Sequence, residues 1–148
     1  MDFEAKIAEL GLLIPKPAKP AGSYKPCVIV DNIAYISGQG PLLEDGSFAK
    51  GKVGADVDLE TAQNHARLCG LAILSALKNE IGSINKVDQL IKLTGFVNCI
   101  ESFTQQPLVI NGCSNMMKDI FGETGVHARA AVGAVSYTHL RAHETKTD

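Results

Sequence analysis

Between Gly125 and Ala134 the chain reads Gly-Val-His-Ala-Arg-Ala-Ala-Val-Gly-Ala, and Arg129 is the single strong charge between Thr124 and Leu140. A permanently charged planar fork among small apolar residues suits bidentate capture of a carboxylate or phosphate. An arginine at the mouth of a strand also serves in ordinary surface ion pairs, and the residues alone leave both readings open. His127, two positions earlier, either faces the same cleft or caps the strand end. Glu123 reads as a solvated loop acid.

Two other stretches could bring small polar groups to a ligand. Ala21-Gly22-Ser23-Tyr24-Lys25-Pro26 is rich in turn formers and exposes one tyrosine, and Ser37-Gly38-Gln39-Gly40-Pro41 is a small loop that uncovers its backbone. Three familiar motifs fail on inspection. Gly46 to Val53 approaches a phosphate-binding loop, but Val53 cannot supply the magnesium hydroxyl and no helix opens at Lys52. Gly38-Gln39-Gly40 lacks the later glycine of a dinucleotide fingerprint. His139 and His143 have a zinc-compatible spacing without a third ligand, so no metal is expected. Cys27, Cys69, Cys99 and Cys113 are widely spaced among apolar neighbours and read as buried thiols.

The elements that must position these groups follow from periodicity. Phe3 to Leu10 is a short amphipathic helix ended by Gly11, and Pro15, Pro17 and Pro20 make a stiff connector. Cys27 to Val30 and Ile33 to Ser37 are strands around Asp31-Asn32, a hairpin signal. Phe48 to Val53 reads as a third strand. Asp58 caps a long helix that Gly82 stops at Ile81, with Ala62, Ala66, Cys69, Ile73, Ala76 and Leu77 as its buried stripe and His65 beside it. Val87 to Val97 is a strand and Leu108 to Phe121 a second helix, whose Met116, Met117 and Ile120 are core contacts. The Arg129 strand comes last. This order predicts an α+β fold, a single layer pair with two helices on one face of a small mixed sheet. Ile29, Ile33, Leu93 and Val97 would leave the other face partly apolar, so a homo-oligomer is expected.

The totals bound the function. The chain has 148 residues, 45% hydrophobic and 20% charged, with a net charge of -2. That suits one domain with a core of its own, and no Lys/Arg cluster argues for nucleic acid. No apolar run approaches the about 18 residues of a membrane span. The acidic start, Met1-Asp2-Phe3-Glu4, lacks a signal segment, and a cytoplasmic location is expected.

Four stretches in order, Gly22-Ser23-Tyr24, Ile36-Ser37-Gly38-Gln39-Gly40-Pro41, Lys92 to Phe96 and His127-Ala128-Arg129-Ala130, resemble the RidA/YjgF family, also called endoribonuclease L-PSP or YjgF/YER057c-like proteins. The likeness runs from about Ile14 to Ala134 and is nearest to a bacterial branch with His-Ala-Arg in place of Pro-Ala-Arg. It implies a chorismate-mutase-like fold, a homotrimer and three clefts between subunits. It further implies a deaminase, a hydrolase of enamine and imine intermediates such as 2-aminoacrylate, yielding 2-keto acids and ammonia without a cofactor. By this resemblance Arg129 and Tyr24 are the catalytic pair, and Ser37, Gly38, Gln39 and His127 join them in binding a small carboxylate. A cleft asparagine of the family falls at Asn111 or Asn115. An iminium carbon is already electrophilic, so positioning by Arg129 does much of the work, and a proton-transfer group would add about 10²- to 10⁴-fold. Non-catalytic keto-acid binding is the alternative function, and endoribonuclease activity is a weaker third, because no basic groove is visible.

After Ala134 the chain departs from that family. Residues 1–134 read as the domain and 135–148 as a non-native polar tail without strand alternation. A permitted back-translation of Val135 to Thr145 resembles the transposase-end adapter used to prepare sequencing libraries. The expectation is a translated adapter, a missing natural C-terminus, and loss of the family's final strand with its acidic residue.

Overall fold

The computed structural model describes residues 1–134. Helix α1 spans Phe3–Glu9, where Asp2 caps the first turn by accepting from the Ala5 N–H at 2.9 Å and Phe3 and Ile7 are buried. Strands β1 (Cys27–Val30) and β2 (Ile33–Ile36) form the antiparallel hairpin anticipated from Asp31-Asn32, with Cys27 opposite Ile36 and Val30 opposite Ile33. Both turn residues hold left-handed φ, 51° and 62°, the two-residue geometry that matches strand twist.

Helix α2 (Leu59–Ile81) starts where Asp58 Oδ1 accepts from the Thr61 N–H at 2.8 Å and ends at Gly82, φ 88°. Ala62, Ala66, Ala76 and Leu77 are buried as expected, but Cys69 and Ile73 are half-buried and Gly70, Leu71, Ala72, Leu74 and Ser75 are buried as well. The covered arc is wide because the hairpin and the next helix both rest on α2. The buried Ser75 hydroxyl donates to the Pro15 carbonyl at 2.6 Å, which ties the proline connector to α2.

Strands β3 (Lys92–Asn98) and β4 (Ala128–Ala134) pair in parallel, Lys92 opposite Ala128 and Asn98 opposite Ala134. Helix α3 (Gln106–Phe121) is the crossover that a parallel pair requires. Two glycines set its distance from neighbours. A Cβ on Gly95 of β3 would lie 2.4 Å from Ile110 Cδ1, and one on Gly112 would lie 2.1 Å from the Gln63 carbonyl oxygen of α2. Met116, Met117 and Ile120 are core residues.

The α+β architecture and the chorismate-mutase-like fold stand as anticipated, with four local corrections. Phe48 to Val53 is not a strand. It makes only isolated bridges, Leu42 with Phe48 and Val53 with Val57 and Cys99, because Gly46, Gly51 and Gly54 hold φ of 86°, 130° and 94° and keep the chain looping. The strand placed at Val87 begins at Lys92, after a short 3-10 turn at Ile84–Lys86. Before it, the Leu90 N–H donates to the Thr124 carbonyl at 2.8 Å and the Gln89 side chain to the carbonyls of Leu90 and Val126, at 2.7 and 3.1 Å.

The third correction concerns the sheet. Among the described residues there is no single mixed sheet but two two-stranded ones, β1–β2 and β3–β4. An open groove of about 1270 Å³ runs between them, backed by residues of α2 and α3. The fourth concerns the outer face. Ile29 and Ile33 are exposed as anticipated, but Val97 is buried and Leu93 packs against the core. Alternation along the strand then turns Phe96 outward, opposite an equally exposed Val132. Every reading made for Val135 to Asp148 (the adapter, the absent final strand, the His139–His143 pair) lies outside the described residues.

Candidate active site around Arg129

Arg129 is the second residue of β4, opposite Leu93 of β3, and its guanidinium lies against α3. Nη1 donates to Asn111 Oδ1 at 2.7 Å and to Ser114 Oγ at 3.2 Å, while Nη2 donates to the Pro107 carbonyl at 3.3 Å. A guanidinium has five N–H donors. Among the described residues, Nε–H and one Nη2–H therefore have no acceptor, and two donors are what bidentate capture of a carboxylate uses. The arginine is thus clamped from one side and open on another. Among the described residues it has no carboxylate partner.

Asn111 and Ser114 stand three apart and share one face of α3. Of the two asparagines singled out, Asn111 accepts from the guanidinium and Asn115 is exposed. Ser114 was not anticipated. Its one signal is that spacing from Asn111, legible only once the helix register is known.

His127 does both things the sequence left open. Its Nε2 lies 3.0 Å from Ser114 Oγ, and its Nδ1 lies 2.7 Å from the Gly125 carbonyl. A carbonyl only accepts, so Nδ1 carries the hydrogen, and in the neutral ring Nε2 accepts from the Ser114 hydroxyl. Gly125 is placed by a close approach: a Cβ there would sit 2.4 Å from the Met117 carbonyl oxygen. The resulting chain of donors runs from Arg129 to Ser114 to His127 to Gly125. Glu123, in the turn at Gly122–Gly125, is exposed as anticipated.

The surroundings are apolar. Burial pushes the Cys113 thiol up to about 12, a shift that the nearby Arg129 charge partly opposes. Burial also raises Cys69 and Cys27, so these three thiols are protonated at neutral pH and unsuited to nucleophilic work. His65 is partly buried, and desolvation lowers its basicity.

Tyr24, Ser37, Gly38 and Gln39 collect elsewhere, at the open end of the hairpin. The Tyr24 hydroxyl accepts from the Ala21 N–H at 3.2 Å. Ser37 donates from Oγ to the Lys25 carbonyl at 2.6 Å and from its N–H to the Pro26 carbonyl at 2.9 Å. Gln39 Nε2 donates to the Ser37 carbonyl at 3.2 Å. These bonds stitch the tyrosine turn to the Ser37–Gln39 loop. Ser37, Gly38, Gln39 and His127 all line the groove between the two sheets. Within one chain the six residues therefore form two groups, Arg129 with His127 and Tyr24 with Ser37, Gly38 and Gln39.

Among the described residues no three His, Cys, Asp or Glu side chains are grouped to hold a metal ion, and no helix is long and apolar enough to cross a membrane.

Residues 4–137 match the family described as "YjgF/chorismate mutase-like, putative endoribonuclease". The chain is 37% identical over 130 residues to Protein TCP17 of Trypanosoma cruzi, covering 87% of this chain and 81% of that protein. A crystal structure of an Agrobacterium tumefaciens protein of unknown function is similar at 40% identity and TM-score 0.82, over 93% of this chain and 85% of that one. A crystal structure of a "putative endoribonuclease" from Shewanella oneidensis is similar at 30% identity and TM-score 0.87, over 90% and 89% of the two chains.

Proposed function

Since the chain belongs to the YjgF/chorismate mutase-like family, we propose that it is an enamine/imine deaminase that hydrolyses small 2-imino acids to 2-keto acids and ammonia. The observation that carries this reading is the state of Arg129. Among the described residues three acceptors fix its guanidinium, and Nε–H and one Nη2–H are left to grip a substrate carboxylate. Fixing that carboxylate places the imine carbon, and orientation is the costly part of attack by water on a carbon that is already electrophilic. Ser114, which accepts from Arg129, and His127, which contacts Ser114, stand beside the guanidinium that would hold the ligand.

The working site is shared between copies in a homotrimer. The exposed Phe96–Val132 pair supports this, together with the exposed Val28, Ile29, Val30 and Tyr35 of the hairpin, because apolar area of this kind is what subunit contacts cover. In that arrangement the Tyr24–Ser37–Gln39 group of one subunit completes the Arg129 group of its neighbour. Ribonuclease activity, named in the family's description, has less support, because a net charge of -2 without a basic cluster offers phosphates little attraction.

Ammonia release from freshly generated 2-aminoacrylate tests the reading. Arg129→Ala is expected to lower kcat/KM by about 100-fold or more while thermal unfolding stays cooperative. Turnover unchanged in that variant overturns the mechanism. Binding of 2-oxobutanoate without any consumption of imine makes the protein a keto-acid binding module instead. Cleavage of single-stranded RNA that Arg129→Ala abolishes returns the family's older name to it.

A further inference from the structure

We propose that Ser114 is an activated nucleophile, and that the cluster around Arg129 also carries out acyl transfer from short esters bearing a free carboxylate. This activity is distinct from imine hydrolysis, although both would use Arg129 as the anion anchor.

The argument rests on the direction of the hydrogen bonds. His127 Nδ1 is committed as a donor to the Gly125 carbonyl at 2.7 Å, so the neutral ring presents Nε2 as a base, 3.0 Å from Ser114 Oγ. A hydroxyl and a base within hydrogen-bond reach, with the base oriented by a third group, is the arrangement that activates serine. Here the third group is a backbone carbonyl, held by the close approach of Gly125 to Met117. Arg129 Nη1 donates to Ser114 Oγ at 3.2 Å and favours negative charge developing on that oxygen. Ser114 and His127 are both half-buried, so the pair is reachable but partly shielded from water.

Two further groups complete the site. Asn111 Oδ1 accepts from Arg129 at 2.7 Å, which leaves the amide's Nδ2 hydrogens for an oxyanion one helical step from Ser114. Among the described residues Arg129 Nε–H and the second Nη2–H have no acceptor and are left for a carboxylate. Since Arg129 already touches Ser114, that carboxylate and the reacting carbonyl must be joined by a short spacer. The substrate class is the half-ester of a short dicarboxylic acid.

The step balances without a cofactor. Ser114 Oγ bonds to the ester carbonyl carbon as its proton passes to His127 Nε2. The tetrahedral intermediate collapses by breaking the bond to the leaving alcohol, which departs with that proton. Water then attacks the acyl-serine, gives a proton to Nε2, and the carboxylic acid leaves as Ser114 Oγ recovers its hydrogen.

The test uses mono-4-nitrophenyl succinate, with 4-nitrophenyl acetate as the probe lacking a carboxylate. Intact protein is expected to release 4-nitrophenolate in a burst, and peptide mass spectrometry should find one succinyl group on Ser114. Ser114→Ala should abolish the burst, and His127→Gln should slow it by about 100-fold. The half-ester also expels 4-nitrophenolate by itself as its own carboxylate closes to the anhydride. The rates compared are therefore those that Ser114→Ala removes, and by that measure the acetate should react at least about tenfold more slowly. An acyl group found only on lysines or the N-terminus overturns the proposal, as does a burst that survives in Ser114→Ala or equal Ser114-dependent rates for the two esters. Ammonia release from 2-aminoacrylate on the same sample separates the two activities. Imine turnover without acyl-serine overturns this inference alone, and acyl-serine without ammonia overturns the deaminase reading alone.

Discussion

The two sheets of this chain are built on opposite terms. The β1–β2 hairpin is local. Its partners are adjacent in sequence, two left-handed residues turn it, and most of its side chains are exposed. The β3–β4 pair is made of strands separated by a whole helix, and α3 packs on it closely enough to require glycine at position 95. Arg129, Asn111, Ser114 and His127 all belong to the second unit. Polar groups from distant stretches can be held to tenths of an ångström only where packing is tight, and the hairpin contributes a loop edge, not a network.

The sharpest way to break this comparison is Gly112→Val. The added side chain meets the Gln63 carbonyl on α2, a backbone atom that cannot swing away. Asn111 and the Arg129 clamp lie beside it, so a loss of about 3 kcal/mol in urea unfolding should be accompanied by loss of imine turnover. Asn32→Val strikes the hairpin instead. A β-branched residue at φ 62° should cost about 1 to 2 kcal/mol. A destabilisation as large as that of Gly112→Val would mean that the hairpin is not the independent, local element described.

The smallest expected effect touches neither sheet. Glu4 of α1 accepts from Lys78 Nζ at 2.6 Å, Ser83 Oγ at 3.0 Å and the Ile84 N–H at 3.1 Å. The Lys78 hydrogen bond, helped by Ile84 and Ser83 and opposed by burial, holds its carboxyl below the usual range. A lowered carboxylate stabilises the fold above its unfolded-state value, and that contribution disappears as pH falls through the folded-state value. Glu4→Gln should cost about 1 kcal/mol at neutral pH. Urea midpoints of the two proteins should converge in acid, and a gap that persisted there would deny the charged bond its role.

What the sequence revealed follows the same division. The hairpin turn and the bounds of α2 were legible because Asp31-Asn32, Asp58 and Gly82 act on their immediate neighbours. Phe48 to Val53 misled because its apolar ends suggested a strand while Gly46, Gly51 and Gly54 prevented one. Arg129 and His127 were visible as types in a short stretch. Ser114 was hidden because its role depends on helix register and on a partner 15 residues away. The outer face was misread at Leu93 and Val97 because either set of alternating residues in β3 could have turned inward. The packing of α3 decided it.

Each region also carries its own chemical stopwatch. Cys27 is buried at the foot of the hairpin, Cys113 against α2 and Cys99 just past the end of β3, and all are free thiols. A covered sulfur meets a small alkylating reagent only when its surroundings swing open. The order in which these cysteines are trapped would therefore time the separate openings of hairpin, helix pair and strand pair in the unaltered protein.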